Sequence, residues 1–273
     1  MTILRNLSRR AAALLLAAGV AGGLAAPSIA LTPEEIQAKG TLVVGVLADF
    51  PPFGGTDENQ QPAGYDIDVA NLLGEKLGVA VEIVPVTGPN RIPYLLTNRI
   101  DILVAALGIN EERAKQVGFS KPYSTLDVLV MAPADLELNG PEDLPKYTVG
   151  VTRAGSQDTF LSQVAPAGTD IRRFDDDAVS LQAMISGQVQ VLGGSNIHLA
   201  VLNRDHPELN VEQKFPLNSQ GNGIGVRLED TDLRAQLNDL VDQIVASGEL
   251  NDIHQQWFGA PLPTLPESPA YIQ

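Results

Sequence analysis

Short, near-continuous apolar runs recur along the chain: "TLVVGV", "AVEIVPV", "DILVAAL", "LDVLVMA", "YTVGV" and "VQVLGG". Runs of this kind suit strands buried on both faces of a parallel sheet, which needs helices on either side. The intervening segments supply them. Val69, Ala70, Leu73 and Leu77 fall at helical spacing, as do Ala178, Leu181 and Ile185. Strand runs alternating with helical stretches predict an α/β fold with layered packing. The segment "DTDLRAQLNDLVDQIVASGELNDIHQQWFG" is amphipathic, with Leu233, Leu237, Leu240, Val241 and Ile244 on one side. The closing "APLPTLPESPAYIQ" carries several prolines and is expected to extend along the surface or fray.

The runs point to two lobes. "TLVVGVLADFPPF" and "YTVGVTRAGSQDTF" each pass from a strand ending in Gly-Val into a polar loop, as though each opens its own sheet. The Pro- and acid-rich stretch "MAPADLELNGPEDLPKY" separates them and looks like the surface entry to the second lobe.

The first thirty residues stand apart. Arg5, Arg9 and Arg10 precede an apolar run from Ala11 to Ala26, and the small residues Ser28 and Ala30 follow. That is the pattern of a secretory signal peptide cut after Ala30, with the paired arginines leaving a twin-arginine route open. No other run approaches the roughly 20 apolar residues of a membrane span. The chain has no cysteine, so an exported product must stand on its core and cannot carry a lipid on an N-terminal cysteine. A periplasmic location is expected. Without residues 1–30 the formal charge is 15 − 33, or −18, which excludes a polyanion binder because nucleic-acid affinity rests on lysine and arginine.

The stretch "GYDIDVANLLGEKLG", residues 64–78, predicts a helix with Asp66 as N-cap, Asp68 in the first turn and Gly78 as the stop. An ordinary capped helix does not account for Gly64 and Tyr65. Position by position, this stretch resembles the signature of the family 3 extracellular solute-binding proteins, the polar amino-acid receptors of ATP-driven importers. "ADFPPF" (48–53), "NRIPYLLTNRIDILVAALGINEERAKQVGFSKPY" and "GELNDIHQQWFG" extend the resemblance over nearly all of the chain after residue 30. It implies a two-lobed periplasmic-binding-protein fold of type II, each lobe a sheet flanked by helices, joined by two hinge strands. Lobe 1 is then 31–127 with 218–260, lobe 2 is 128–217, and 261–273 is an extended tail. The crossings are expected near Tyr123 to Asp127 and Asn218 to Asn222.

The resemblance also implies a ligand site. Phe50 and Tyr65 are expected to cover opposite faces of the ligand, and Arg113 to grip its carboxylate. Arg113 draws notice on its own: Asn110 is a fair N-cap followed by Glu111 and Glu112, and a cation at that end of a helix costs about 0.3 to 1 kcal/mol. An exposed side chain that swings away or pairs with Glu112 is the alternative. A planar, bidentate grip is what arginine offers and lysine does not. From lobe 2, "TRAGSQD" (152–158) resembles the loop that presents Gly155, Ser156 and Gln157 at a helix N-terminus. Ser156 as a plain helix cap uses the same donors. Ala106 and Asn196 complete the implied site.

Three positions depart from the family pattern. Gly108 stands where many relatives have a ligand-binding threonine, Leu47 where many have an aspartate, and Ser195 where relatives place the ammonium-binding aspartate. An ammonium closed in without a partner costs several kcal/mol. Asp49, the rings of Phe50 and Tyr65, or a ligand without an α-ammonium are the three ways out.

Other features carry less. His198, His206 and His254 share no metal-ligand spacing and read as ordinary, partly exposed histidines. Asp175, Asp176 and Asp177 read as a solvated corner and helix start, and Phe53 as packing within its own lobe. "GNGIG" (221–225) lacks the helix that a dinucleotide site needs. Neither cofactor nor metal is expected. The resemblance implies a monomeric receptor, not an enzyme, that closes on a small carboxylate-bearing solute and presents it to an inner-membrane ABC permease. The rivals are a periplasmic cyclohexadienyl dehydratase, whose chemistry needs a general acid in the cleft, and a sensory subunit.

Overall fold

The computed structural model describes residues 30–272, so nearly all of the expected signal peptide, residues 1–29, lies outside it. Among the described residues no helix is long and apolar enough to cross a membrane.

Helix α1 (Pro33–Lys39) leads into β1 (Thr41–Leu47), a small hairpin of β2 (Gly55–Thr56) and β3 (Pro62–Ala63), then α2 (Tyr65–Leu77) and β4 (Ala80–Val86). Next come α3 (Arg91–Leu96), β5 (Ile102–Leu103) and the short α4 (Glu111–Ala114). The long β6 (Val117–Pro133) carries the chain across to β7 (Thr148–Thr152), α5 (Ser156–Val164), β8 (Asp170–Phe174), α6 (Asp177–Ile185), β9 (Val191–Ser195) and α7 (Asn196–Asp205). The equally long β10 (Val211–Arg227) brings it back to α8 (Thr231–Ser247) and α9 (Glu249–Phe258).

The strands lie in the order β4-β1-β5-β10-β6-β9-β7-β8. Each wing is parallel, β1 pairing with β4 and β5 on one side and β7 with β8 and β9 on the other. The centre is antiparallel, β6 against β10. The two expected sheets are thus hydrogen-bonded into one, because the crossing strands pair along their whole length, from Val117 opposite Arg227 to Pro133 opposite Val211. Register shifts between Asn222 and Gly223 and between Pro216 and Asn218 bend that ladder at its middle.

Two lobes are visible in the packing instead. One core gathers Val44, Leu73, Ile102 and Leu237 around the first wing. The second wing is packed on both faces, Met131 and Leu192 on one, Val130 and Val191 on the other. The expected apolar stripes of α2 and α8 are buried as the periodicity predicts. Strand β4 is half exposed, because it is a sheet edge and not an interior strand. Helix α6 is rotated from expectation. Its buried residues are Asp177, Ser180, Ala183 and Met184, while Ala178 is exposed and Leu181 and Ile185 are half-buried. The polar pair is turned inward by hydrogen bonds to the Thr152 hydroxyl, 2.7 Å from Asp177 Oδ1 and 2.9 Å from Ser180 Oγ. The tail does not fray within the described residues: Ile272 is buried, and its carbonyl accepts from Arg234 Nη1 at 3.3 Å.

Candidate functional site

Gly64 and Tyr65 serve packing within lobe 1. Gly64 sits at φ 149°, and a Cβ there would lie 2.4 Å from the Phe53 carbonyl oxygen, so only glycine allows this approach. Gly64, not Asp66, is the N-cap residue of α2, and no side chain caps the helix. The Tyr65 ring is fully buried, stacked on Tyr123 at 6.1 Å and edge-on to Phe53, Phe258 and His254. Its hydroxyl donates to the Tyr123 carbonyl at 2.8 Å. It does not line the cleft, in contrast to its expected role as a ligand clasp. The ring instead completes an aromatic cluster assembled from distant parts of the chain, where its hydroxyl finds a partner.

Asp66 is buried at the centre of lobe 1. Its carboxylate accepts from the Ala106 N–H and the Tyr123 hydroxyl, each at 2.8 Å. These bonds hold the segment after β5, where Ala106 takes a left-handed φ of 42°. Burial pushes the carboxyl up to about 7, against the Tyr123 hydroxyl, the Ala106 N–H and the Arg91 charge. A carboxyl whose folded value exceeds its unfolded one binds its proton more tightly in the fold. Its share of stability is therefore present at low pH and lost as pH rises from about 4 to about 7. Asp66→Asn is expected to remove that loss. Denaturant melts of wild type and variant at pH 4.5 and 7.5 should show the wild type falling relative to the variant at the higher pH.

A cleft lies between the lobes. Leu47, Phe50, Gly88, Arg91 and Ala106 line it from the first lobe, and Leu126 from β6. Thr152, Gly155, Ser156, Gln157, Asp177, Ser195 and His198 line it from the second. Phe50 is held by Phe53, stacked at 5.4 Å, and meets the His198 ring at 4.9 Å. Phe53 thus packs within its own lobe as expected.

Arg113 is buried, neither swung into solvent nor paired with Glu112, whose partner is Lys115. It bridges the lobes. Nη1 donates to the Gly108 carbonyl at 2.8 Å and to Ser156 Oγ at 3.1 Å, and Nη2 donates to the Ala154 carbonyl at 3.0 Å. Ala154 presents that carbonyl from a left-handed φ of 58°. Arg113 stands just behind the cleft wall and reaches it through Ser156. Among the described residues no carboxylate lies within ion-pair distance of it. Burial first, and then the neighbouring Arg91 charge, hold its guanidinium well below the usual arginine value. Asn110 caps α4 as expected, accepting from the Arg113 N–H at 2.9 Å.

Arg91, Asp177 and His198 are functional candidates that the sequence reading missed. Arg91 is buried, donating from Nη1 to the Ala105 carbonyl at 2.8 Å, and its Nε has no partner among the described residues. Asp177 accepts from Thr152 and, at 3.3 Å, from Gln157 Nε2. His198 is buried, not partly exposed, because its Nδ1 meets the Ser195 N–H at 3.2 Å in the cap of α7. Its Nε2 lies 3.2 Å from Asp177 Oδ1, off the line of a good hydrogen bond. Burial raises the Asp177 carboxyl, but the His198 ring, the Thr152 hydroxyl and the Arg91 charge outweigh it and hold the carboxyl below the usual range. Asp177 is therefore an anion facing the cleft. The acid run is not a uniformly solvated corner: Asp175 is exposed, Asp176 caps α6, and Asp177 turns inward.

Asp49 crosses the gap, its Oδ2 accepting from the Asp177 N–H at 2.7 Å, and burial and the Asp177 charge raise its carboxyl. Gly108 contributes its carbonyl to Arg113 and does not line the cleft. Asn196 is exposed, its Oδ1 accepting from the Asp127 N–H at 3.3 Å, and also lies off the cleft. No group of three or more acid or histidine side chains placed to hold a metal occurs among the described residues.

A two-lobed α/β fold with a cleft between its lobes is the architecture of solute-binding proteins. The chain belongs to the bacterial extracellular solute-binding proteins, family 3, which it matches over residues 42–260. It is 27% identical over 262 residues to the L-cystine-binding protein TcyJ of Escherichia coli (strain K12), covering 94% of this chain and 98% of that one. A mutant of ArgBP from T. maritima superposes with a TM-score of 0.77 at 31% identity, covering 84% of this chain and all of that one. The cyclohexadienyl dehydratase of Pseudomonas aeruginosa is 29% identical over 180 residues, 64% of this chain and 67% of that protein.

Proposed function

We propose that the protein is the periplasmic receptor of an ABC importer and that it closes its lobes, 31–127 with 218–260 and 128–217, on one small carboxylate-bearing amino acid or amino-acid derivative. It acts as a monomer and hands the solute to an inner-membrane permease. The observation that carries this reading is the Arg113 guanidinium, buried where the lobes meet with carbonyls and a hydroxyl for partners and the charge of another cation, Arg91, acting against it. A buried cation without a counter-ion is costly, and a ligand carboxylate is the anion that relieves it. From the second lobe the Asp177 carboxylate suits an α-ammonium, a role for which the sequence alone left open Asp49, the rings of Phe50 and Tyr65, or a ligand without an α-ammonium. The expense of an unpaired ammonium thus falls away despite Ser195. Closure follows from such a ligand because its two ends meet groups on different lobes only when these approach.

A second reading, a dehydratase acting on prephenate-like substrates, draws on the His198–Asp177 pair, which sits in the cleft as an acid and base would. Thermal-shift measurements over amino acids, opines, betaines and small organic acids, with prephenate run in parallel for release of phenylpyruvate, separate the two. The receptor reading expects at least one amino-acid hit, worth about 2.7 kcal/mol of apparent stability at a hundredfold its dissociation constant, and no turnover. Phenylpyruvate appearing at a rate set by enzyme concentration would establish the second reading instead.

A further inference from the structure

Gly108 has no conformational reason to be glycine, since its φ lies outside the left-handed range. The reason is space: a Cβ on it would lie 1.9 Å from Gln220 Nε2 and 2.3 Å from Gln220 Cδ. The Gln220 amide therefore occupies the place that a side chain at position 108 would take. Gln220 comes from β10, opposite Leu126 of β6 in the stretch where the lobes join, and is buried. Its Nε2 donates to Ser156 Oγ at 2.8 Å. The same oxygen accepts from Arg113 Nη1 at 3.1 Å.

A serine hydroxyl has two acceptor lone pairs and one proton to give. A guanidinium N–H and an amide N–H can only donate, so together they use both lone pairs. The proton must then point in the remaining tetrahedral direction. Ser156 is itself part of the cleft wall. We propose that Gln220 is a positioning residue which, with Arg113, fixes the Ser156 hydroxyl as a hydrogen-bond donor to the ligand carboxylate, and that glycine at 108 makes room for it. The proposal rests on the carboxylate reading above. It turns the departure from threonine at 108 into an exchange, in which an amide from the crossing strand, acting through Ser156, takes over the polar role at that corner.

The test is a double-mutant cycle on the full mature chain, read by titration calorimetry at pH 7.5 with L-arginine, L-glutamine, L-cystine and L-glutamate as probes. For the tightest-binding probe, Gln220→Ala is expected to weaken binding about tenfold and Ser156→Ala by about as much or more, with the double variant no weaker than Ser156→Ala. Gly108→Ala, which displaces the amide, is expected to match Gln220→Ala and to add nothing in a Gln220→Ala background. Gln220→Glu keeps size but presents acceptors, drawing the serine proton and the Arg113 charge to itself, so it should bind more weakly than Gln220→Ala. Additive losses for Gln220 and Ser156, or a Gln220→Glu variant that binds better than Gln220→Ala, overturn the inference while the carboxylate reading stands. If neither these probes nor any carboxylate of the thermal-shift panel binds the wild type, the carboxylate reading fails and the inference falls with it.

Discussion

Arg113→Met is expected to abolish capture of the carboxylate-bearing ligand, weakening it by at least about a hundredfold, or about 3 kcal/mol, as for loss of a buried charge-assisted pair. The melting temperature of the free protein should stay within a few degrees of wild type. Methionine gives up the bonds to the Gly108 and Ala154 carbonyls, but it also relieves the desolvation of a cation that has no carboxylate beside it among the described residues. The combination is diagnostic. A residue kept for folding would lose stability, and a residue kept for the ligand loses affinity. Arg113→Lys is not expected to rescue, because a single ammonium cannot span a carbonyl on each lobe and the Ser156 hydroxyl as the planar fork does. Calorimetric titration beside thermal melts of the free variants reads both quantities.

Gly88→Ala is the second change expected to act strongly, and it acts on closure. Gly88 lines the cleft from the first lobe, and a Cβ there would lie 2.7 Å from the carbonyl oxygen of Arg153 in the second. Both sides of that contact are backbone or fixed to it, so a flexible side chain cannot move aside. The lobes must instead stop short. A misfit of this kind raises the energy of the closed form and leaves the open form untouched, so affinity is expected to fall about tenfold to a hundredfold, mostly through faster release. The radius of gyration from small-angle scattering at saturating ligand should stay larger in the variant than in wild type, with equal values for the two free proteins. Full compaction of Gly88→Ala would show that the contact does not limit closure.

Much of the fold was legible because hydrophobic spacing dictates it. The stripe Val69, Ala70, Leu73 and Leu77 and the stripe Leu233, Leu237, Leu240, Val241 and Ile244 are both core faces. The central ladder was less so, since β6 contains Lys121, Pro122 and Asp127 and does not read as a single strand. Its length is set by its partner β10, a tertiary fact. In the site, Phe50, Ala106, Gly155, Ser156, Gln157 and Ser195 all come to the cleft wall. Tyr65 illustrates the limit. An aromatic before a helix looks the same whether it faces a ligand or a core, and here Tyr123, His254 and Phe258, far away in sequence, provide the core. Arg91 and Asp177 were hidden for the opposite reason. Exposed arginines and acid runs are the common case, and only the packed lobes reveal that these two charges are withdrawn from solvent.

The central claim, that a carboxylate is the group this cleft is built to hold, is tested most directly by comparing each amino acid with its own α-carboxamide. The pair matches in shape and differs in the charge presented to Arg113. Titration calorimetry of the wild type is predicted to give saturable binding for at least one acid and at least about a hundredfold weaker binding for the corresponding amide. Equal affinity for acid and amide would contradict the account.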